Sequence, residues 1–305
     1  MESPQRPSSR TSSSQNRAKK RAPSSRHRRD DSDGDVTPPE GSNTDDTTDG
    51  DSSWPQYTWL VKPPRGKRYG LDDQNERMRA VIQEALNSIH TDLCFVNAFP
   101  SFADKTRMVS KALVTAAQKL GYRSIRGRLE APGQRQWFKN LSGIVFNRIS
   151  TFRTKVKAAA VLHFTSYLGI KPRDKAAVAK WIADDSFIYP GSTEGYRSPV
   201  IKAVIAEAFF SKGNAIGSQN PEMFPSSRTD LPDEKEIPAP MVALAATAIL
   251  CALESYKEGY FEKCPFTASK YKSAYESHLG SLLHLRKNGL AAYHFLMHEL
   301  YNDAQ

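Results

Sequence analysis

Residues 144–170, IVFNRISTFRTKVKAAAVLHFTSYLGI, decide the reading of this chain. Their apolar members Ile149, Phe152, Val156, Ala159, Ala160 and Tyr167 recur at spacings of three and four, which predicts one long amphipathic helix with a single buried stripe. Basic residues border that stripe, Arg148 and Lys155 on one shoulder and Arg153 and Lys157 on the other. Side chains so placed either hold phosphates or lay their stems along the core edge and carry their charge into water.

The distribution of charge gives this helix its weight. The 305-residue chain carries 43 Lys+Arg against 33 Asp+Glu, a formal net charge of +10. Residues 1–29 hold nine bases and one acid, residues 30–51 nine acids and no base, so these two blocks nearly cancel. Residues 52–104 balance at six against six, and residues 158–305 carry fifteen bases against sixteen acids. Residues 105–157 carry thirteen bases and one acid. The excess therefore belongs to one internal segment, which speaks to partners and not to fold.

Working outward, residues 1–53 are Ser, Thr, Pro, Asp and Arg with little to bury, the composition of a disordered tail. Two basic clusters lie in it, Arg17, Lys19, Lys20 and Arg21, then Arg26, Arg28 and Arg29. Paired, solvated clusters are what a nuclear import receptor reads, so a nuclear, intracellular protein is expected; the alternative is a solubilising charge block. The acidic block that follows lacks the glycine and the bidentate glutamate of a calcium loop. Its Ser32 and Thr37 stand where kinases find substrates in exposed tails.

Residues 54–70, WPQYTWLVKPPRGKRYG, mix aromatic, proline and basic residues and read as an extended linker, a short strand or a segment clamped on the domain surface, because Pro55, Pro63 and Pro64 oppose a helix. Helical spacing resumes with Met78, Val81, Ile82, Ala85, Leu86 and Ile89. Asp104 is the expected cap of a second helix that stops at Gly121. Residues 121–141 then interleave Arg123, Arg126, Arg128, Arg135 and Lys139 with Tyr122, Trp137 and Phe138. Arginines that contact phosphates beside rings that stack on bases suit a nucleic-acid surface; the plainer reading is a basic loop anchored by its aromatics. Ser198-Pro199 opens a helix expected to close at Gly213, and residues 214–239 read as a long surface excursion. Residues 240–256 form the most apolar helix, the expected centre of the bundle, and two more helices follow Thr267 and Leu290. The expected fold is all-α, a single multi-helix domain over residues 71–302 behind the disordered tail.

The strings FIYPG and GYRSPVI, the helix PAPMVALAATAILCALESYKEGY and the stretch around YESHLGSL resemble a family of uncharacterised proteins from mushroom-forming (basidiomycete) fungi, defined by a domain of unknown function. The resemblance rests on Tyr189, Pro190, Tyr196, Arg197, Ser198, Pro199, Phe210, Ala243, Leu244, Thr247, Cys251, Tyr256, Phe266, Tyr271, Tyr275, His278 and Leu282. It covers residues 78–285 and is clearest from residue 187 onward. It implies a fungal source and a mostly helical domain, and it carries no activity, cofactor or catalytic residue.

Motifs of known chemistry are missing from the sequence. It contains no phosphate-binding GxxxxGK[ST] and no GxSxG elbow. Cys94, Cys251 and Cys264 have no metal-ligand spacing, and their odd number fits a reducing compartment. No secretory signal begins the chain, and the apolar run 238–253 is too short to span a bilayer, so no membrane partner is expected. His294, His298 and Glu299 share a helical face as metal ligands could, but polar punctuation on an amphipathic helix explains them as well. Tyr196, Arg197 and Ser198 likewise admit an anion site, which helix capping by Ser198 makes unnecessary.

Three readings follow. In the first, residues 105–157 bind DNA or RNA non-specifically through phosphates, with Arg123, Arg126, Arg128, Arg135, Lys139, Arg148, Arg153, Lys155 and Lys157 supplying the field and Trp137 stacking on a base. In the second, the same segment meets an acidic protein and has no nucleic-acid role. In the third, which no motif supports, the protein is an enzyme. No cofactor and no metal is expected.

Overall fold

A computed structural model describes residues 53–189, 195–211, 213 and 215–305. The basic import clusters at Arg17–Arg29, the acidic block and Pro190 lie outside the described residues. Among the described residues the fold is all-α, as expected, with ten α-helices and no strand.

Two apolar cores organise the helices. The smaller is built by α1 (Glu76–Phe95), α2 (Phe102–Lys119), α3 (Arg123–Glu130) and the first half of α4 (Arg135–Tyr167). The larger surrounds α8 (Ala239–Glu254), with the second half of α4, α6 (Pro199–Ile205), α9 (Ala268–Asn288) and α10 (Leu290–Ala304) packed about it. Two short helices, α5 (Lys175–Ile182) and α7 (Ile216–Gln219), fill its flanks. Thirteen of the sixteen residues of α8 are buried, so it is apolar on every side, as the centre of a bundle must be.

The residues 144–170 that open the sequence reading lie in α4, which is longer than expected. Its 33 residues begin at Arg135, so the basic and aromatic run expected as a loop is helical instead. Gly133, at φ +87, makes the turn that separates it from α3. The helix is about 50 Å long at ~1.5 Å per residue, long enough to serve both cores. Leu141, Ile144, Val145 and Ile149 enter the small core, while Val156, Ala159, Ala160 and Phe164 enter the large one. Its buried face turns as it passes between them. Tyr167, expected on the stripe, is therefore 52% exposed, and Phe164 takes the inward place.

Local chemistry sets the other boundaries. Asn75 caps α1 by accepting the Met78 N–H at 3.0 Å. Ser101, and not Asp104, caps α2: its hydroxyl accepts the Asp104 N–H at 3.2 Å and donates to the Asp104 carboxylate at 2.6 Å. The helix opened by Ser198-Pro199 changes pitch at Ala206–Phe210, where one π turn widens it. The Ser198 hydroxyl makes no capping bond, and its oxygen is buried without a hydrogen-bond partner. Within the expected surface excursion, Phe224 and Ile237 are buried, so part of that segment belongs to the large core.

Candidate nucleic-acid interface

The basic residues of 105–157 divide into three groups. The first points inward. Arg128 is 1% exposed, bonds Gln134 Oε1 at 3.0 Å and Thr58 Oγ1 at 3.1 Å, and stacks its guanidinium 4.7 Å from the Trp137 ring. Arg153, also 1% exposed, lies 4.8 Å over the Phe99 ring. Lys157 donates to the Cys264 carbonyl, and Lys105 lies 5.4 Å from the Phe146 ring. Expected as phosphate contacts, Arg128, Arg153 and Lys157 are buried cations seated on carbonyls and rings. Where α4 passes into the large core, the face bearing Arg153 and Lys157 becomes its inner face.

The second group is exposed and committed to carboxylates. Arg107 pairs with Asp104 at 2.8 Å, Lys119 with Glu84 at 2.5 Å and Arg126 with Glu130 at 3.1 Å. Pairs this exposed contribute little to stability and exchange readily with another anion. The third group, Lys111, Arg123, Arg135, Lys139, Arg148 and Lys155, forms no ion pair among the described residues. On α4, Arg135 and Lys139 lie one turn apart, and Arg148 and Lys155 project from the opposite side of the helix. The unpaired cations of α4 therefore form two patches. Trp137, expected to stack on a base, donates its indole N–H to the Thr58 carbonyl at 3.1 Å while Arg128 covers its ring. It is an anchor.

What Trp137 and Arg128 anchor is the segment 54–70. Of the forms expected for it, the structure takes the clamped segment and packs it against the small core as a strap. The Trp54 ring lies against Gly127. Tyr57 stacks under the Arg77 guanidinium at 4.4 Å, and Arg77 also faces Tyr122 at 6.0 Å. Gln74 brackets the strap by accepting the Val61 N–H at 3.0 Å, and Asn140 donates to the Tyr69 hydroxyl at 3.3 Å. Between these fixed points the chain makes a tight turn, in which the Lys67 N–H donates to the Pro64 carbonyl at 3.0 Å and Gly66 sits at φ +77. Arg65 and Lys67 stand on this turn and Lys62 and Arg68 flank it, all exposed and without an ion pair among the described residues. Sequence reading omitted these four. Their signal was present as four cations within seven residues, hidden because proline-rich segments read as spacers.

Lys155 belongs to a different setting, a groove of about 1080 Å³ walled by α1, α4, the π turn and α7. His90 lies in this region, stacked on Phe152 with ring centroids 4.9 Å apart. Burial, with help from the Lys155 charge, pushes the His90 pKa down to about 4, so the ring is neutral at physiological pH. Its Nε2 is buried without a hydrogen-bond partner. Glu84, Glu207 and Lys119 give the groove both signs of charge.

The histidines of α10 are held by residues 234–236, in the loop that leads into α8. His294 is buried, with Nδ1 2.7 Å from Glu236 Oε1 and Nε2 2.7 Å from Glu234 Oε2. Glu236 also accepts the N–H and hydroxyl of Ser227 at 2.6 and 2.7 Å. Burial alone would lower the His294 pKa, but hydrogen bonds to Glu236 and Glu234 outweigh it and raise the pKa. Glu299 turns to Lys202 at 2.6 Å and Arg197 at 3.4 Å. No group of metal-ligating side chains with binding geometry occurs among the described residues.

A family model described as Domain of unknown function (DUF6532) matches residues 84–285. The chain belongs to the DUF6532 family. No curated protein and no solved structure matches it. The DUF6532 match starts inside α1 and ends inside α9, so it takes in both cores and leaves the strap and α10 outside. The strap and its four cations therefore lie N-terminal to the matched DUF6532 region. No described helix is long and apolar enough to cross a membrane.

Proposed function

We propose that this DUF6532 protein acts in the nucleus by docking the small-core end on nucleic acid, through phosphates and with little base specificity. The observation that carries this reading is the strap: four exposed cations on and beside a tight turn, pinned at both ends to a helical scaffold that adds exposed Arg77, Arg79, Arg123, Arg135 and Lys139. A pinned strap presents its charges with less ordering cost than a free tail does. The field is one-sided along the chain, since residues 158–305 are near neutral. The paired clusters at Arg17–Arg29 support import into the nucleus, and the likeness of residues 187–285 to proteins of mushroom-forming fungi supports a basidiomycete source.

The test is titration of labelled duplex and single-stranded DNA and RNA with the full chain across a salt series. With about six phosphates engaged, affinity is expected to fall roughly 10³-fold between 50 and 200 mM salt. Absence of binding at low salt overturns the proposal. A second reading, docking of a protein partner, is favoured by the mixed-charge groove beside His90. Deleting residues 30–51 separates the two. If the acidic block masks the strap, its removal strengthens nucleic-acid binding, whereas a persistent lack of binding leaves the protein-partner reading.

A further inference from the structure

A cluster of reactive side chains at the C-terminal end of α8 has no part in nucleic-acid docking. After α8 the chain loops out and returns, with the Glu262 N–H donating to the Ser255 carbonyl at 2.7 Å, and this brings Cys264 back beside the last helical turn. The Cys251 thiol donates to the Cys264 carbonyl at 3.8 Å, and Lys157 of α4 fixes that same carbonyl. From the first turn of α9, Lys270 Nζ lies 3.1 Å and the Tyr271 hydroxyl 2.9 Å from Cys264 Sγ. The Cys264 carbonyl thus meets the Cys251 thiol while the Cys264 thiol meets Tyr271. Both Lys270 and Tyr271 contact Glu254 Oε2, at 2.6 and 2.5 Å. Cys264 is partly exposed, whereas Cys251 and Cys94 are buried.

This arrangement has the parts of an activated nucleophile. A thiolate at Cys264 meets an ammonium and a hydroxyl, the donors that stabilise a sulfur anion. Glu254, which accepts from the Cys264 thiol at 3.9 Å and from Tyr271, is a base able to take the thiol proton. We propose that Cys264 reacts with hydroperoxides and that Cys251 resolves the product into a Cys251–Cys264 disulfide. In the first step the Cys264 sulfur attacks the terminal oxygen of ROOH. The S–O bond forms, the O–O bond breaks, and sulfur gives up two electrons to become a sulfenic acid. The departing alkoxide takes the proton parked on Glu254 and leaves as ROH. In the second step the Cys251 sulfur attacks Cys264 Sγ, the S–S bond forms and the S–O bond breaks. Hydroxide leaves with the Cys251 proton as water. Burial pushes the Cys251 thiol up to about 12, so it stays protonated while the more exposed Cys264 meets the oxidant.

The test uses the full chain in its reduced, folded form. Brief iodoacetamide treatment at neutral pH should label Cys264 well ahead of Cys94 and Cys251, as read by peptide mass spectrometry. Lys270→Met should slow that labelling about tenfold, and Lys270→Arg should restore most of it. Hydrogen peroxide should produce the Cys251–Cys264 disulfide in the native chain. In Cys251→Ser the oxidation should stop at a sulfenic acid that dimedone traps on Cys264. Circular dichroism and melting temperature confirm that each variant is folded. Labelling of Cys264 no faster than a free cysteine, or peroxide treatment that yields neither disulfide nor dimedone adduct, overturns the proposal.

Discussion

The two cores use charge in opposite ways. Around α8 the packing is apolar on all sides, and a buried polar group there is either closely matched, as His294 between Glu236 and Glu234, or left without a hydrogen-bond partner, as the Ser198 hydroxyl. The small core is bordered by an excess of cations, and its structure sorts them by direction. Arg128 faces inward and is held by Thr58, Gln134 and Trp137, so it anchors the strap. Lys62, Arg65, Lys67 and Arg68 face outward on the strap that Arg128 anchors. A positive charge is thus spent on holding other positive charges in place. Local charge density in sequence does not separate these roles; the direction of each side chain does.

The comparison can be broken first at the large core. Phe164→Ala removes a fully buried ring from α4 and should cost about 3–5 kcal/mol in denaturant unfolding. The loss should be global and should leave the strap attached until the whole domain melts. Arg128→Ala is the counterpart in the small core. It removes a charged donor from the strap and uncovers Trp137, and about 2–3 kcal/mol is expected. Limited proteolysis should then cut within residues 59–70 before the helices unfold, a pattern Phe164→Ala should not show.

A smaller effect distinguishes the large core by pH. Glu236 and Glu234 hold the His294 imidazolium above its ordinary value of 6.5. A pKa raised in the folded state means stability that is complete below about 6.5 and is lost as pH rises through the raised value. The melting temperature should therefore decline on the alkaline side of neutrality, and His294→Gln should flatten that decline. The smallest expected change is Ser101→Ala, which removes the α2 cap at a cost of about 1 kcal/mol in thermal or urea unfolding.

The all-α class, the helix over residues 144–167 and the central place of α8 were legible because each depends on apolar spacing. The start of α4 at Arg135 was not legible. Trp137 and Phe138 are useful to a helix only once the strap and α2 cover them, a contact that sequence spacing does not show. Tyr167 was misplaced because the buried face of α4 turns between two cores, whereas a single stripe assumes one. Among the candidate site residues, Arg123, Arg135, Lys139, Arg148 and Lys155 lie at the surface without an ion pair among the described residues. Arg126 is at the surface and paired with Glu130. Arg128, Arg153 and Lys157 are buried because Thr58, Phe99 and Cys264, distant in sequence, supply the oxygens and ring that a buried cation needs. The four cations of the strap were passed over because their prolines spoke louder than their charge.

The most direct test of the division between the two ends is a matched charge reversal in the full chain. One variant changes Lys62, Arg65, Lys67 and Arg68 to Glu; the other changes Lys171, Arg173, Lys257 and Lys287, exposed cations beside the large core, to Glu. Both alter the net charge equally. At fixed low salt the strap variant should lose roughly 100-fold or more in nucleic-acid affinity, with a salt dependence shallower by about four phosphates, and the second variant should stay within about threefold of the native chain. Equal losses in the two variants would contradict a docking surface at the small-core end.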